Sequence, residues 1–142
     1  MAEVFAGFLC GYISALVLTP FLALLLLRMR TSSLVLARLL PAGTPAAGLM
    51  VILHAGMAMF WTAAGLLLGL VLKAMNSGHT IHFLLSRNAA FSLFVAGLVL
   101  ALIGPVAFLS ARYRRAAVIT GGLVLLLFGW LMPYLAAWSS FD

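Results

Sequence analysis

The residue best suited to chemistry in this chain is His54, which lies inside a long apolar run. An imidazole buried in hydrocarbon costs free energy unless its nitrogens are hydrogen-bonded or bind a ligand. One interpretation is a packing histidine bonded to a carbonyl or hydroxyl group of a neighbouring helix. The other is an axial ligand for haem or chlorophyll, or a quinone contact. The packing interpretation is favoured, because the second axial ligand of a haem would have to come from a methionine such as Met50, Met57 or Met132.

Small and polar residues recur around this histidine at helical spacing. At 100° per residue, one stripe of a helix carries His54, Ala58, Trp61, Thr62, Gly65 and Gly69. Bulky side chains occupy the opposite face. This pattern is typical of a membrane helix that packs on a second helix along one side and faces lipid along the other. It would also suit a flat cofactor, which needs small residues beside it and an aromatic ring to lie against.

The other side chains that could react are poorly placed for catalysis. The only carboxylates are Glu3 and Asp142, near the two ends of the sequence. This excludes catalysis by paired carboxylates, and it leaves no acid within an apolar run of the kind that proton-coupled transporters use. Ser14, Thr62 and Ser92 are the hydroxyls that the buried histidine could activate, but no nucleophile motif such as GxSxG is present. We therefore expect no catalytic residues and no enzyme activity.

A metal site is not predicted either. His79 and His82 are spaced so that they can share one side of a helical turn. Two histidines are too few, because a protein metal site usually needs three or four ligands. We interpret the pair as part of an exposed loop.

The composition indicates which kind of secondary structure positions these residues. Of the 142 residues, 66% are hydrophobic and only 7% are charged, whereas soluble domains have roughly 25% charged residues. Apolar runs of about 20 or more residues recur along the chain, and each can cross a hydrocarbon core of ~30 Å at ~1.5 Å per residue. The sequence predicts an all-α, four-transmembrane-helix bundle that forms one domain over residues 1–142, with helices at about 4–27, 46–72, 89–111 and 116–138.

The net charge of +6 comes from residues at the ends of these runs. Six arginines lie in or beside the first and third connections: Arg28, Arg30, Arg38, Arg112, Arg114 and Arg115. Contacts with lipid headgroups explain them, so nucleic acid is not expected as a partner. By the positive-inside rule, these connections face the cytoplasm and both termini lie outside. Seven of the eight basic residues are arginine, which favours a bacterial cytoplasmic membrane.

Two local features complete the predicted architecture. In residues 33–40, apolar side chains surround the single Arg38, which predicts a short helix lying in the cytoplasmic interface. Every transmembrane helix also has a row of small residues, among them Gly7, Gly11 and Ala15 in the first. In the third helix, Gly104 and Pro105 form a candidate hinge, because glycine adds freedom where proline removes a hydrogen bond.

These features favour a non-catalytic integral membrane subunit of a homo-oligomer or of a larger membrane complex. Its partners would be membrane lipids and other membrane chains, or copies of itself. Association would use the small-residue faces, with His54 and Trp61 at the centre of the main contact. One alternative is a small channel or facilitator for water, gas or small neutral solutes, with its path along the stripe and a gate at Gly104–Pro105. A second is a haem-, pigment- or quinone-binding membrane anchor that uses His54.

Overall fold

A computed structural model of the chain describes residues 1–29, 38, 43, 45–76 and 84–138. The first three spans are α1 (Ala2–Met29), α2 (Ala46–Asn76) and α3 (Leu84–Leu109). The fourth span consists of α4 (Arg114–Val124), a π-helical segment (Leu125–Leu131) and α5 (Met132–Trp138). All four are long and apolar enough to cross a membrane. The predicted all-α four-helix fold is confirmed, and the protein is an integral membrane protein.

The helices are longer than the apolar runs that predicted them. The second helix continues past Lys73 to Asn76, and the third begins at Leu84, five residues before its predicted start. Hydropathy marks the part of a helix that lies in hydrocarbon, whereas the hydrogen-bonded backbone continues into the interface, where polar side chains are tolerated. The predicted interfacial helix at 33–40 and Arg30 lie outside the described residues, apart from Arg38, which is exposed.

The first two helices are antiparallel and make the largest helix–helix contact of the fold. Glycines on both helices allow this approach. A Cβ atom added to Gly65 would overlap the carbonyl oxygen of Gly7, and one added to Gly7 would overlap that of Gly65. At the next turn, a Cβ atom on Gly69 would lie 2.6 Å from the carbonyl oxygen of Glu3. The two backbones therefore touch directly, as they do in membrane helix pairs built on small residues four apart.

The fourth span, Arg114–Trp138, covers the helix predicted at about 116–138, and its middle departs from regular α geometry. Pro133 has no N–H to donate to the carbonyl of Gly129 one turn earlier, and its ring crowds that carbonyl. The helix widens to π geometry over Leu125–Leu131, just before this proline. The Gly129 oxygen instead accepts a hydrogen bond of 2.5 Å from the Ser92 hydroxyl of α3. A neighbouring helix thus supplies the donor that proline removes.

The hydrophobic core lies in one half of the bundle. Its buried members come from the first part of α1, the last part of α2, the first part of α3 and the later part of the fourth span: Ala6, Cys10, Leu72, Phe91, Val95, Val124, Leu127, Phe128, Met132 and Ala136. We call the opposite end, which carries Arg28, Arg112, Arg114 and Arg115, the arginine end. Helix α3 makes its main contacts with the fourth span and few with α2.

Candidate functional site

The stripe on α2 that the sequence singles out lies against α1 of the same chain. Gly65 and Gly69 are buried there, and a Cβ atom on Gly11 would overlap the carbonyl oxygen of Trp61. The glycine part of this face therefore packs on α1 of the same chain, and a contact with another chain centred on His54 and Trp61 stays a prediction. A solute path along the stripe would also require α1 and α2 to separate. Sequence reasoning identified a packing face but not the helix that packs on it.

His54 lies half-buried at the edge of this contact, beside Thr19 of α1. Its Nδ1 is 3.3 Å from the Thr19 hydroxyl oxygen. That hydroxyl donates its own proton to the carbonyl oxygen of Ala15, at 2.6 Å, so its oxygen accepts from the imidazole. With the hydroxyl donating in this way, the contact requires the ring proton on Nδ1, and in a neutral imidazole the lone pair is then on Nε2. The Tyr12 ring approaches the imidazole edge-on, with 6.2 Å between the ring centroids.

A shallow groove of about 490 Å³ runs beside the imidazole. Its walls are the side chains of Leu16, Pro20 and Met50, together with His54 itself. Of the three methionines considered as a second axial ligand, only Met50 shares this groove. Met57 lines a different cavity, and Met132 is fully buried in the core. The groove therefore has mainly apolar walls, with the imidazole of His54 among them.

Trp61 connects α2 to the fourth span. Its indole ring stacks on Phe128, with 5.9 Å between centroids and 21° between planes. The indole Nε1 is buried and has no hydrogen-bond partner among the described residues. The neighbouring Thr62 hydroxyl donates to the carbonyl of Ala58 at 2.5 Å. Gly65, Gly69 and Trp61 thus pack within the chain, and of the stripe residues only Trp61 retains an unused buried donor.

The remaining reactive side chains are dispersed. The Ser14 hydroxyl donates to the carbonyl of Cys10 at 2.7 Å, and Ser92 is bonded to Gly129 as described above. No group of three or more His, Cys, Asp or Glu side chains that could hold a metal is found within the described ranges. His79 and His82 lie outside those ranges.

The small-residue row of α3 has a different environment from that of α2. A Cβ atom added to Gly97 or Gly104 would have no heavy atom within 4 Å. Ala101 between them is exposed, and the flanking Leu93 and Phe108 are 73% and 82% exposed. Helix α3 runs without interruption through Gly104–Pro105 to Leu109, and the hinge stays a prediction. The α3 row therefore faces outward, with no helix of the described chain upon it.

The arginines have separate roles at their end of the bundle. The Arg114 Nε donates to the carbonyl of Ala107 at 3.1 Å, so this cation caps the last turn of α3. The Arg112 guanidinium lies 5.8 Å from the centroid of the Tyr113 ring. Arg28, Arg112 and Arg115 line one pocket between α1 and α4. Sequence reasoning found the cationic end but not this division of roles, which depends on how α1 meets the third connection.

The same reasoning missed Thr19 and Ser92 as partners of other helices. Thr19 directly precedes Pro20, and no pattern in the sequence links it to another helix. Ser92 is separated by 37 positions from the carbonyl that it satisfies. The available signal was Pro133, since a proline inside a membrane helix calls for a donor from elsewhere. Comparison of the chain with protein-family models, with curated proteins and with solved structures gives no match, so no family is assigned.

Proposed function

We propose that the protein is a non-catalytic subunit of a homo-oligomer or of a larger membrane complex, and that the outward face of α3 is its contact surface. The observation that supports this is the unoccupied row of Gly97, Ala101 and Gly104. In α1 and α2 the equivalent rows bring two backbones together. A third row of this kind, flanked by exposed bulky side chains, suits a helix of another subunit or of a second copy.

The test is the oligomeric state of the purified protein in lipid nanodiscs or mild detergent. Gly97→Ile and Gly104→Ile should reduce the oligomer or complex, because each branched side chain keeps an approaching backbone away. Gly56→Ile is the matched control, since a Cβ atom on Gly56 also meets nothing within 4 Å but lies on α2. A wild-type chain that stays monomeric in nanodiscs and recovers no partner after cross-linking in cells would refute the proposal.

We further propose that the arginine end faces the cytoplasm of a bacterial cell, with both termini outside. The supporting observation is that Arg28, Arg112, Arg114 and Arg115 meet at one end of the four spans, while Lys73 lies near the other. The positive-inside rule favours cytoplasmic retention of the end richer in Lys and Arg. A periplasm-active reporter fused after Asp142 should be active, and a cytoplasm-active reporter there should be silent. The reverse pattern would refute this orientation.

A second candidate function is a haem-, pigment- or quinone-binding anchor, because the Thr19 contact leaves the Nε2 lone pair of His54 available beside an apolar groove. Such a nitrogen can ligate a metal or accept a proton from a ligand hydroxyl. An absorption spectrum of gently purified protein should then show a band that His54→Ala removes. A spectrum with only aromatic absorbance refutes a haem or pigment. For a quinone, the test is solvent extraction of the purified protein followed by chromatography of the extract.

A further inference from the structure

The four spans line an apolar cavity of about 400 Å³, open to one side, in the half of the bundle that the core does not fill. We call it the interhelical cavity. All four spans contribute to its wall, with Leu18 from α1, Met57 and Trp61 from α2, Ile103 from α3 and Ala117 from α4. Well-packed interiors leave few voids larger than a water molecule. A cavity of this size lies within the range of ~300–1,000 Å³ that is typical of ligand sites.

A second pocket, of about 600 Å³, continues the cavity to the arginine end. Phe21, Leu25 and Tyr113 line both, so the two spaces adjoin. The second pocket differs in charge, because Arg28, Arg112 and Arg115 line it. The sequence has no carboxylate near this end, since Glu3 lies at the opposite end of α1 and Asp142 lies beyond the fourth span. The combined site is therefore an apolar channel with a cationic mouth.

The length of the channel matches one leaflet of a bilayer. Its wall on α1 extends from Leu18 to Met29, a rise of about 16 Å. Half of a hydrocarbon core is ~15 Å thick. An acyl chain whose headgroup lies at the membrane surface would thus reach from the arginines to the level of Leu18. Basic pockets between transmembrane helices are known to bind phosphate headgroups in this way.

We propose that the interhelical cavity and its arginine mouth bind one anionic phospholipid, with an acyl chain between the four spans and its phosphate at Arg28, Arg112 and Arg115. The acyl chain of a zwitterionic lipid would fill the cavity equally well, but its headgroup would gain less binding free energy from the three arginines. A soluble phosphate compound would bind the arginines of the mouth but would leave the apolar channel empty. The lipid acts as a structural element of the arginine half, and it does so whether or not the chain associates with another subunit.

Native mass spectrometry of the delipidated full chain, titrated with phosphatidylglycerol or phosphatidylcholine, tests the headgroup. Wild-type protein should retain phosphatidylglycerol preferentially. Arg28→Gln combined with Arg115→Gln should weaken phosphatidylglycerol binding by about 25-fold, from roughly fivefold for each arginine. Lys73→Gln combined with Arg87→Gln removes the same charge from the opposite end of the bundle, and should leave the preference unchanged. Equal binding of the two lipids by wild type, or equal losses in the two variants, would overturn the proposal.

The acyl chain is tested separately in the wild-type protein, which removes any doubt about folding of a variant. A phosphatidylglycerol with a photoreactive group near the end of its chain should label Met57 or Ile103 on the cavity wall. Labelling confined to outward residues such as Leu67 and Leu93 would refute insertion. Glycerol phosphate, which has the charge without the chain, should not displace the bound lipid at equal concentration. Displacement by it would show that only the mouth is occupied.

Discussion

Replacing Gly65 by alanine is the most direct test of the contact between α1 and α2. The new methyl group would overlap the carbonyl oxygen of Gly7, which belongs to the backbone and has no rotamer to adopt. The neighbouring Gly69 gives the scale of the displacement. Its Cβ atom would lie 2.6 Å from the Glu3 oxygen, whereas ordinary contact begins at 3.4 Å, so the helices would have to part by 0.8 Å there. The displacement at Gly65 must be larger.

Overpacking of this kind costs about 1–3 kcal/mol. Alanine offsets up to ~1 kcal/mol of that cost, because it is a better helix former than glycine. With the full offset, we therefore expect Gly65→Ala to lower the free energy of unfolding by up to about 2 kcal/mol. Gly56→Ala, on the same helix, meets no atom within 4 Å. It should raise that free energy by about 0.5–1 kcal/mol, because only the helix preference changes.

Reversible unfolding in mixed micelles of mild detergent and dodecyl sulfate, followed by helical circular dichroism, measures both variants under one condition. The prediction concerns their difference, so it does not depend on the absolute stability of the bundle. If Gly65→Ala and Gly56→Ala move the midpoint in the same direction by similar amounts, the two backbones do not touch at Gly65 and the packing described above is wrong.

Two further contacts give predictions for the same assay. Ser92→Ala should lower the free energy of unfolding by about 0.6–1.7 kcal/mol, the range for hydrogen bonds between membrane helices. Pro133→Ala restores an N–H for Gly129, so Ser92→Ala should cost less in that background, and an unchanged cost would contradict the proposed compensation. His54→Phe and Thr19→Val should each cost about 0.5–1.5 kcal/mol, the net value of one hydrogen bond. Their combination should cost no more than the larger single effect, whereas strict additivity would mean that the two side chains do not interact.

The spans were predictable from the sequence because the solvent imposes them. A segment in hydrocarbon must satisfy its backbone groups internally, so each apolar run of sufficient length becomes a helix. The face of α2 that packs was also visible, since Gly65 and Gly69 are spaced to allow close approach. Which helix covers that face was not visible. Rows of small residues occur in all four spans, and periodicity alone cannot pair one row with another.

Polar contacts between helices were harder still to predict from the sequence. Pro133 indicates a missing donor, but the donor is the Ser92 hydroxyl of another helix. A serine in a membrane helix usually bonds its own preceding turn, as Ser14 does to Cys10. Nothing in the sequence distinguishes the two serines. The same limit applies to Thr19, which bonds its own helix and also accepts from His54. Only the relative placement of the helices decides which hydroxyl has a second role.

The two halves of the bundle are stabilised by different means, and this difference connects the two proposals. In the half that holds the core, large side chains such as Phe91 and Phe128 interlock and are fully buried. Toward the arginine end, no residue of α3 after Val95 has a buried side chain, and this part of the helix lines a cavity instead. Dispersion contacts are lost wherever a wall faces empty space. An acyl chain in the cavity and a helix on the outer row of α3 would restore those contacts on the inner and outer sides of the same helix. Lipid binding should therefore stabilise the arginine half first, and hydrogen exchange of residues 99–109 should slow on addition of phosphatidylglycerol while that of residues 91–95 changes little.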